Sequence, residues 1–189
     1  MSDDNKPAPR VAWCITGSGH YLKECLDIAG RTPDTDLFLS RAAAEVLQMY
    51  DHELKQLRER MRIFRDNTAS AVPVGLFYHG AYHTVVVAPA TSNTIAKCVA
   101  GISDTLVTNI FAQAGKRHIP SIVFACDNEP VIETRAPGEW VTVYPRAIDL
   151  RNAEVLQTFE AVTVAADMAA LERALAERLQ AVAPERCRA

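Results

Sequence analysis

Short apolar runs rich in β-branched residues alternate along this chain with loops of small polar residues and with stretches whose apolar positions recur every three or four residues. Continuous apolar runs read as buried strands and the 3.6-residue period reads as helices, so the pattern predicts an alternating β/α order. The first strand is expected over Val11–Ile15, followed by the turn Thr16-Gly17-Ser18-Gly19 and a short helix over Tyr21–Ala29. A second strand is expected over Leu37–Leu39, after which Ser40 leads into a long helix over Arg41–Met61. Val46, Tyr50, Leu54, Leu57 and Met61 form the apolar stripe of that helix, and its other face is charged. A Pro-containing connection leads to a third strand over Thr84–Ala88. Helices over Thr94–Ala100 and Thr105–Ala114 follow, the second ending at Gly115, a residue suited to the left-handed conformation that stops helices. Ser121–Ala125 is a fourth strand, with further strands expected over Trp140–Tyr144 and Ala161–Val164. Asp167 caps a last helix that carries Leu171, Leu175 and Leu179 on one side.

Strands that are apolar throughout, each followed by a helix, imply a parallel sheet covered on both faces. The expected fold class is therefore α/β, a single doubly wound parallel sheet in a three-layer, Rossmann-like or flavodoxin-like arrangement. A chain of 189 residues suits one such domain. Residues 11–183 are expected to form it, with a mobile N-terminal tail over 1–10 and a C-terminal tail over 184–189. In these sheets ligands sit outside the carboxyl ends of the strands, where the polar loops of this sequence cluster.

Composition narrows the function classes. With 49% apolar and 23% charged residues the chain has the make-up of a soluble globular protein. Its longest apolar stretches, such as Val85–Ala90, have the length of one strand, and the N-terminal segment carries no apolar run, so no membrane contact is expected and the cytoplasm is the expected compartment. A net charge of −3 argues against a nucleic-acid-binding role. Cys14, Cys25, Cys98, Cys126 and Cys187 are scattered without a C-x-x-C pair, which predicts reduced thiols and no metal or iron–sulfur centre. His79 and His83 have the spacing of helical metal ligands, but His83 leads into a strand, so they are not read as a metal site.

Three strand ends carry candidate chemistry: Thr16-Gly17-Ser18-Gly19-His20, then Ser40-Arg41, then Ala88-Pro89-Ala90-Thr91-Ser92-Asn93-Thr94. Each places small, hydroxyl or amide side chains just before a helix, whose amino end offers N–H groups and partial positive charge to an anion. Together they could hold one phosphate and a polar ring system. Ser, Thr and Asn in such places also act as plain helix caps. The third loop, with four consecutive Thr, Ser, Asn and Thr, carries more polarity than one cap requires, and there a ligand is expected. The first loop is not a dinucleotide fingerprint, because Leu22 stands where the third Gly belongs.

The stretch Ala88–Asn109, APATSNTIAKCVAGISDTLVTN, resembles the signature of the homo-oligomeric flavin-containing flavoproteins, a family that includes cysteinyl decarboxylases, flavin prenyltransferases and archaeal-type flavoproteins. The order strand, TGS, strand, Ser and APAT-NT matches over roughly Val11–Glu129. The resemblance implies FMN, with its phosphate near Gly17, Ser18 and Ser40 and its ring against the loop Thr91, Ser92, Asn93 and Thr94, and with Thr16, Gly19, Arg41 and Ala90 also among the cofactor-binding residues. It also brings in Cys126 and Asp127, where prenyltransferase-like relatives carry an Arg that this chain lacks. Gly75 stands where the decarboxylases carry a catalytic His, and their P-x-M-N segment is absent. The run Ala147–Glu154 is similar instead to the D-x-x-N-A segment of archaeoflavoproteins and flavin-dependent dihydromethanopterin reductases. The resemblance thus implies an FMN oxidoreductase that reduces a dihydropterin with electrons from an external, ferredoxin-like donor, working as a trimer or larger homo-oligomer. His79 and His83 are its candidate proton donors, with a surface role as the alternative. A cysteinyl decarboxylase and a non-catalytic flavin electron carrier are the alternative functions.

Overall fold

The computed structural model describes residues 8–50, 52, 54–67 and 71–186. Its elements run β1 (Arg10–Ile15), α1 (Leu22–Arg31), β2 (Thr35–Leu39), α2 (Arg41–Met49), α3 (Leu54–Arg58), β3 (Arg62–Arg65), α4 (Ala71–Tyr78) and β4 (Tyr82–Ala90). They continue α5 (Ser92–Val99), α6 (Leu106–Lys116), β5 (Ser121–Ala125), β6 (Ile132–Ala136), β7 (Glu139–Val143), α7 (Ala147–Leu156), β8 (Val162–Ala165) and α8 (Met168–Arg186). Six strands form one sheet in the order β3-β2-β1-β4-β5-β8, and every pairing in it is parallel. β6 and β7 form a separate antiparallel hairpin between β5 and α7.

The central strands are buried on both sides, and their alternate residues feed two cores. Ala12, Cys14, Val85, Val87, Val123 and Ala125 pack against α4, α5, α6 and α7 through Phe77, Ile95, Ile110 and Leu156. Val11, Trp13, Ile15, Val86, Ile122 and Phe124 pack on the other face against α1, α2 and α8 through Leu26, Leu47 and Leu171. This is the three-layer, doubly wound arrangement expected from the unbroken apolar runs.

Several boundaries differ from expectation. Arg10 belongs to β1 and not to a tail, because its guanidinium binds the buried Asp36 carboxylate at 2.8 Å. Residues 1–7 lie outside the described part. α8 continues through Arg186, past the expected end at residue 183. The helix expected over Arg41–Met61 is two helices, α2 and α3, followed by the unforeseen edge strand β3, although Val46, Tyr50, Leu54 and Leu57 still pack against one core. α4 fills part of the expected connection, and its Pro73 stands in the first turn, where a missing N–H costs nothing. Gly115 lies inside α6; the left-handed residue beyond the helix is His118 at φ 51°.

Candidate functional site

β2 lies on one side of β1 and β4 on the other, so the chain reverses its direction of winding between β1 and β4. Loops leaving these two strands diverge to opposite sides and open a crevice at the carboxyl end of the sheet. Thr16 joins the walls of that crevice. Its backbone N–H and its hydroxyl both donate to the Pro89 carbonyl, at 3.2 and 2.8 Å, and the hydroxyl accepts from the Thr91 N–H at 2.8 Å. The Ala88–Pro89 peptide bond is cis. Beneath it the fully buried Trp13 donates its indole N–H to Ala88 O at 2.7 Å.

Gly17 runs against the first turn of α2. A Cβ placed on it would lie 2.5 Å from the Ala42 Cβ, so only glycine permits this approach. Ser40 caps α2 by accepting from the Ala43 N–H at 3.0 Å. Thr91 caps α5 through the Thr94 N–H at 3.3 Å, and Thr105 caps α6 through the Thr108 N–H at 3.2 Å. Three helix amino ends therefore border one cleft of about 560 Å³, a volume in the usual range for a bound cofactor.

Of the residues proposed from the sequence, Thr16, Gly17, Ser40, Arg41, Thr91, Asn93 and Thr94 wall this cleft. The fold adds Asp66, Lys97, Asp104 and Thr105. Arg41 donates from Nε to the Asp66 carbonyl at 3.0 Å, while the Asp66 carboxylate accepts the Leu106 N–H at 3.1 Å. Lys97 meets Asp104 at 2.8 Å, and that ion pair holds the Asp104 carboxyl below its usual range. Lys97, Asp104 and Thr105 lie within the stretch that carries the family resemblance, and the T-x-x-T of Thr105 and Thr108 is a cap signature. Asp66 follows a strand the sequence pattern does not announce.

The remaining expected residues occupy other places. Ala90 is buried at the end of β4. Cys126 is also buried; its N–H donates to Ala90 O at 2.9 Å, and burial pushes its thiol up to about 12 against a weaker opposing hydrogen bond from Ser18. The Ser92 hydroxyl donates to the Asp127 carboxylate, tying the third loop to the one after β5. Ser18 accepts the His20 N–H at 3.2 Å, and Gly19 lies against the Tyr50 ring.

His79 and His83 are not brought to the cleft by this chain. His83 is the second residue of β4, seven residues before Ala90, which at about 3.3 Å per residue places it roughly 23 Å away at the amino end of the sheet. There its ring contacts Thr84 Oγ1 at 2.7 Å and its carbonyl accepts from Arg178. His79 is exposed in the turn after α4. His20 and His52 lie at the carboxyl end, and the His20 Nδ1 lies 2.9 Å from Thr134 Oγ1 of the hairpin. Burial lowers the His20 pKa, opposed by Asp127 and Glu24. Gly75, in α4, offers no base where the decarboxylases carry theirs, and nothing lies within 4 Å of its Cβ position.

The sequence profile of the flavoprotein family matches residues 1–183. The chain belongs to the flavoprotein family. This flavoprotein is 35% identical over 159 residues to a dihydromethanopterin reductase (acceptor) of Methanocaldococcus jannaschii, covering 77% of this chain and 62% of that one. It is 38% identical over 141 residues to the enzyme of the same name from Methanosarcina mazei, covering 68% of this chain and 59% of that one. The flavoprotein thus spans less than two thirds of either reductase. Among solved structures it is similar to Burkholderia xenovorans DmrB, crystallised in complex with FMN and described as a cubic protein cage for redox transfer. That match has 58% identity and a TM-score of 0.87 over 94% of this chain and 98% of the other.

Proposed function

We propose that this flavoprotein is an FMN-dependent oxidoreductase that reduces dihydromethanopterin, or a related dihydropterin, to the tetrahydro form. In this reading it works in the cytoplasm as a homo-oligomer and takes electrons from an external, ferredoxin-like donor. The observation that carries it is the convergence of three capped helix amino ends on one cleft beside a turn that only Gly17 can make. The names of the two reductases and of DmrB support the cofactor and the substrate class.

The residues present fit FMN. A phosphate needs N–H donors and positive charge, which the α2 amino end, Ser40 and Arg41 supply next to Gly17. A ring system with a polar edge needs hydroxyl and amide partners, and Thr91, Asn93 and Thr94 present them at the start of α5. When bound and reduced, FMN supplies the hydride for the C=N bond of the pterin, whose nitrogen then takes a proton. The chain itself supplies placement: Thr16 holds the phosphate side and the ring side of the cleft at a fixed separation, and the α5 and α6 termini direct donors to where negative charge collects.

The test is an anoxic single turnover. The FMN-loaded protein is photoreduced and mixed with dihydromethanopterin, and return of the yellow absorption with formation of the tetrahydro product is expected. Flavin that stays reduced overturns the substrate assignment.

A further inference from the structure

Among the described residues two cations line the flavin cleft, Arg41 and Lys97, and they stand on different helices. Arg41 is the first residue of α2, beside Ser40 and Gly17, where the phosphate needs its charge. Lys97 has no part in holding the phosphate there. It lies on α5 three residues after Thr94 and four after Asn93, the spacings that share one helix face, and all three open onto the same cleft. The side of the cleft assigned to the ring therefore has a cation of its own.

The chain holds this lysine in place. Gly101, at φ 72°, ends α5: its N–H donates to Cys98 O at 3.2 Å, and the Ile102 N–H donates to Lys97 O at 2.8 Å. The chain then returns, and both Asp104 carboxylate oxygens accept from the Lys97 ammonium, at 2.9 and 2.8 Å. The two partners differ in their exposure. The lysine side chain is 25% exposed and the aspartate side chain 55%, so water screens the carboxylate more than the ammonium. An ammonium has three donors, and Asp104 occupies two of them at most. Asp66, the other carboxylate on the cleft, accepts the Leu106 N–H at the α6 amino end.

We propose that Lys97 raises the reduction potential of the bound flavin by holding its ammonium at the polar edge of the ring, with Asp104 as the residue that positions it and damps its charge. The inference rests on the FMN reading above and deepens it. The polar edge that Thr91, Asn93 and Thr94 would meet is the pyrimidine edge of the isoalloxazine. When the ring takes up two electrons and one proton, the negative charge it gains is spread over N1 and C2=O of that edge. A cation there binds the reduced form more tightly than the oxidised form. The ratio of the two affinities is the shift in potential, and for a two-electron couple tenfold is about 30 mV.

The midpoint potential of the FMN-loaded protein is measured by anoxic equilibration with a reference dye, beside its affinity for oxidised FMN, in wild type, Lys97→Met, Lys97→Arg and Asp104→Asn. Lys97→Met is expected to lower the reduced-to-oxidised affinity ratio about tenfold or more, a potential about 30 mV lower, with oxidised FMN bound within about threefold of wild type. Lys97→Arg restores most of the ratio. Asp104→Asn removes the damping charge and is expected to move the potential the other way. Sulfite, which adds to N5 and leaves the same negative charge at N1 and C2=O, gives a separate readout: its affinity should fall in Lys97→Met and rise in Asp104→Asn. An ion pair that only ties α5 to α6 is broken by either variant, so both would shift alike. That result overturns the proposal, as does a ratio in Lys97→Met within about twofold of wild type. Equal loss of oxidised and reduced FMN assigns the ammonium to the phosphate and overturns it too. Wild type that binds no FMN overturns the cofactor reading along with it. The expected shifts in a protein that leaves dihydromethanopterin unreduced support the role of Lys97 and overturn only the substrate assignment.

Discussion

The Thr16 hydroxyl sits between the Pro89 carbonyl and the Thr91 N–H, 2.8 Å from each, and couples the ends of β1 and β4 through one buried side chain. Valine has nearly the same shape and no hydroxyl. Thr16→Val leaves a buried donor and acceptor without this partner, at a cost of about 1–3 kcal/mol. The expected result is a melting temperature lower by roughly 2–12 °C for a domain of this size, with FMN affinity weakened as well. Thr16→Ser restores most of both, as differential scanning with and without FMN would show. An unchanged Thr16→Val protein would remove this residue from the account of the cleft.

The two glycines of the first turn have different neighbours and so different expected phenotypes. At Gly17 an added methyl meets the Ala42 Cβ at 2.5 Å, and because Ala42 cannot swing away, the turn must separate from α2. Gly17→Ala is expected to lower FMN affinity at least tenfold, read by flavin fluorescence titration. At Gly19 the same methyl meets the Tyr50 ring, the far end of a flexible side chain. Gly19→Ala is expected to displace Tyr50 from Arg135 O and loosen the hairpin, seen as faster amide exchange over 132–143, with FMN affinity changed less than in Gly17→Ala.

Asp36 is fully buried at the other end of β2. Burial pushes its carboxyl up, but hydrogen bonds from Arg62, Arg10 and Tyr82 outweigh that and hold it below the usual carboxylate range. A carboxyl whose folded pKa is depressed stabilises the fold above its unfolded pKa of about 3.9, and the contribution is lost as pH falls through the lower folded value. Wild type should therefore lose stability steeply below about pH 4. Asp36→Asn leaves Arg10 and Arg62, both partly exposed, without their carboxylate and is expected to cost about 1.5–3 kcal/mol at neutral pH. It should also flatten the acid limb of the stability curve, measured by urea denaturation across pH.

Cys14, Cys25, Cys98 and Cys126 are all buried, and burial raises every one of their thiol pKa values, Cys98 and Cys126 to about 12. At pH 8 a thiol of pKa 12 is about one part in ten thousand thiolate. Folded protein should leave these four unmodified by iodoacetamide over an hour, with all of them reacting in denaturant, as peptide mass mapping would report. Cys126→Ala is expected to keep FMN affinity within about twofold.

Much of this architecture was legible in the chain because its physical cause is local. Short, unbroken apolar runs rich in β-branched residues, such as Val85–Ala90, read as strands buried on both faces, and such strands pair in parallel with helices above and below. The polar strand ends were legible for the same reason: Thr91, Ser40 and Gly17 are residue types chosen by the turn or helix start they occupy. The short edge strand β3, with exposed Arg62 and Arg65 at its ends, carries no such pattern. It exists because β2 offers it an open edge. At the break after Met49, Tyr50 donates to Arg135 O, a partner 85 residues away in sequence.

The sequence by itself therefore determined which segments are the buried central strands, that these lie parallel between helices, and which loops at their ends are polar, since each follows from side-chain type and period. Only the tertiary structure decided which end of the sheet each residue faces and what meets there. Strand direction separates His83 from the cleft by the length of β4, although His83 and Ala90 are close in sequence. Long-range packing brings Asp66, Lys97 and Asp104 to the cleft and His20, Tyr50 and Trp140 to one cavity. Contacts of that kind depend on the order of strands across the sheet, a property of the folded chain that no local run of residues carries.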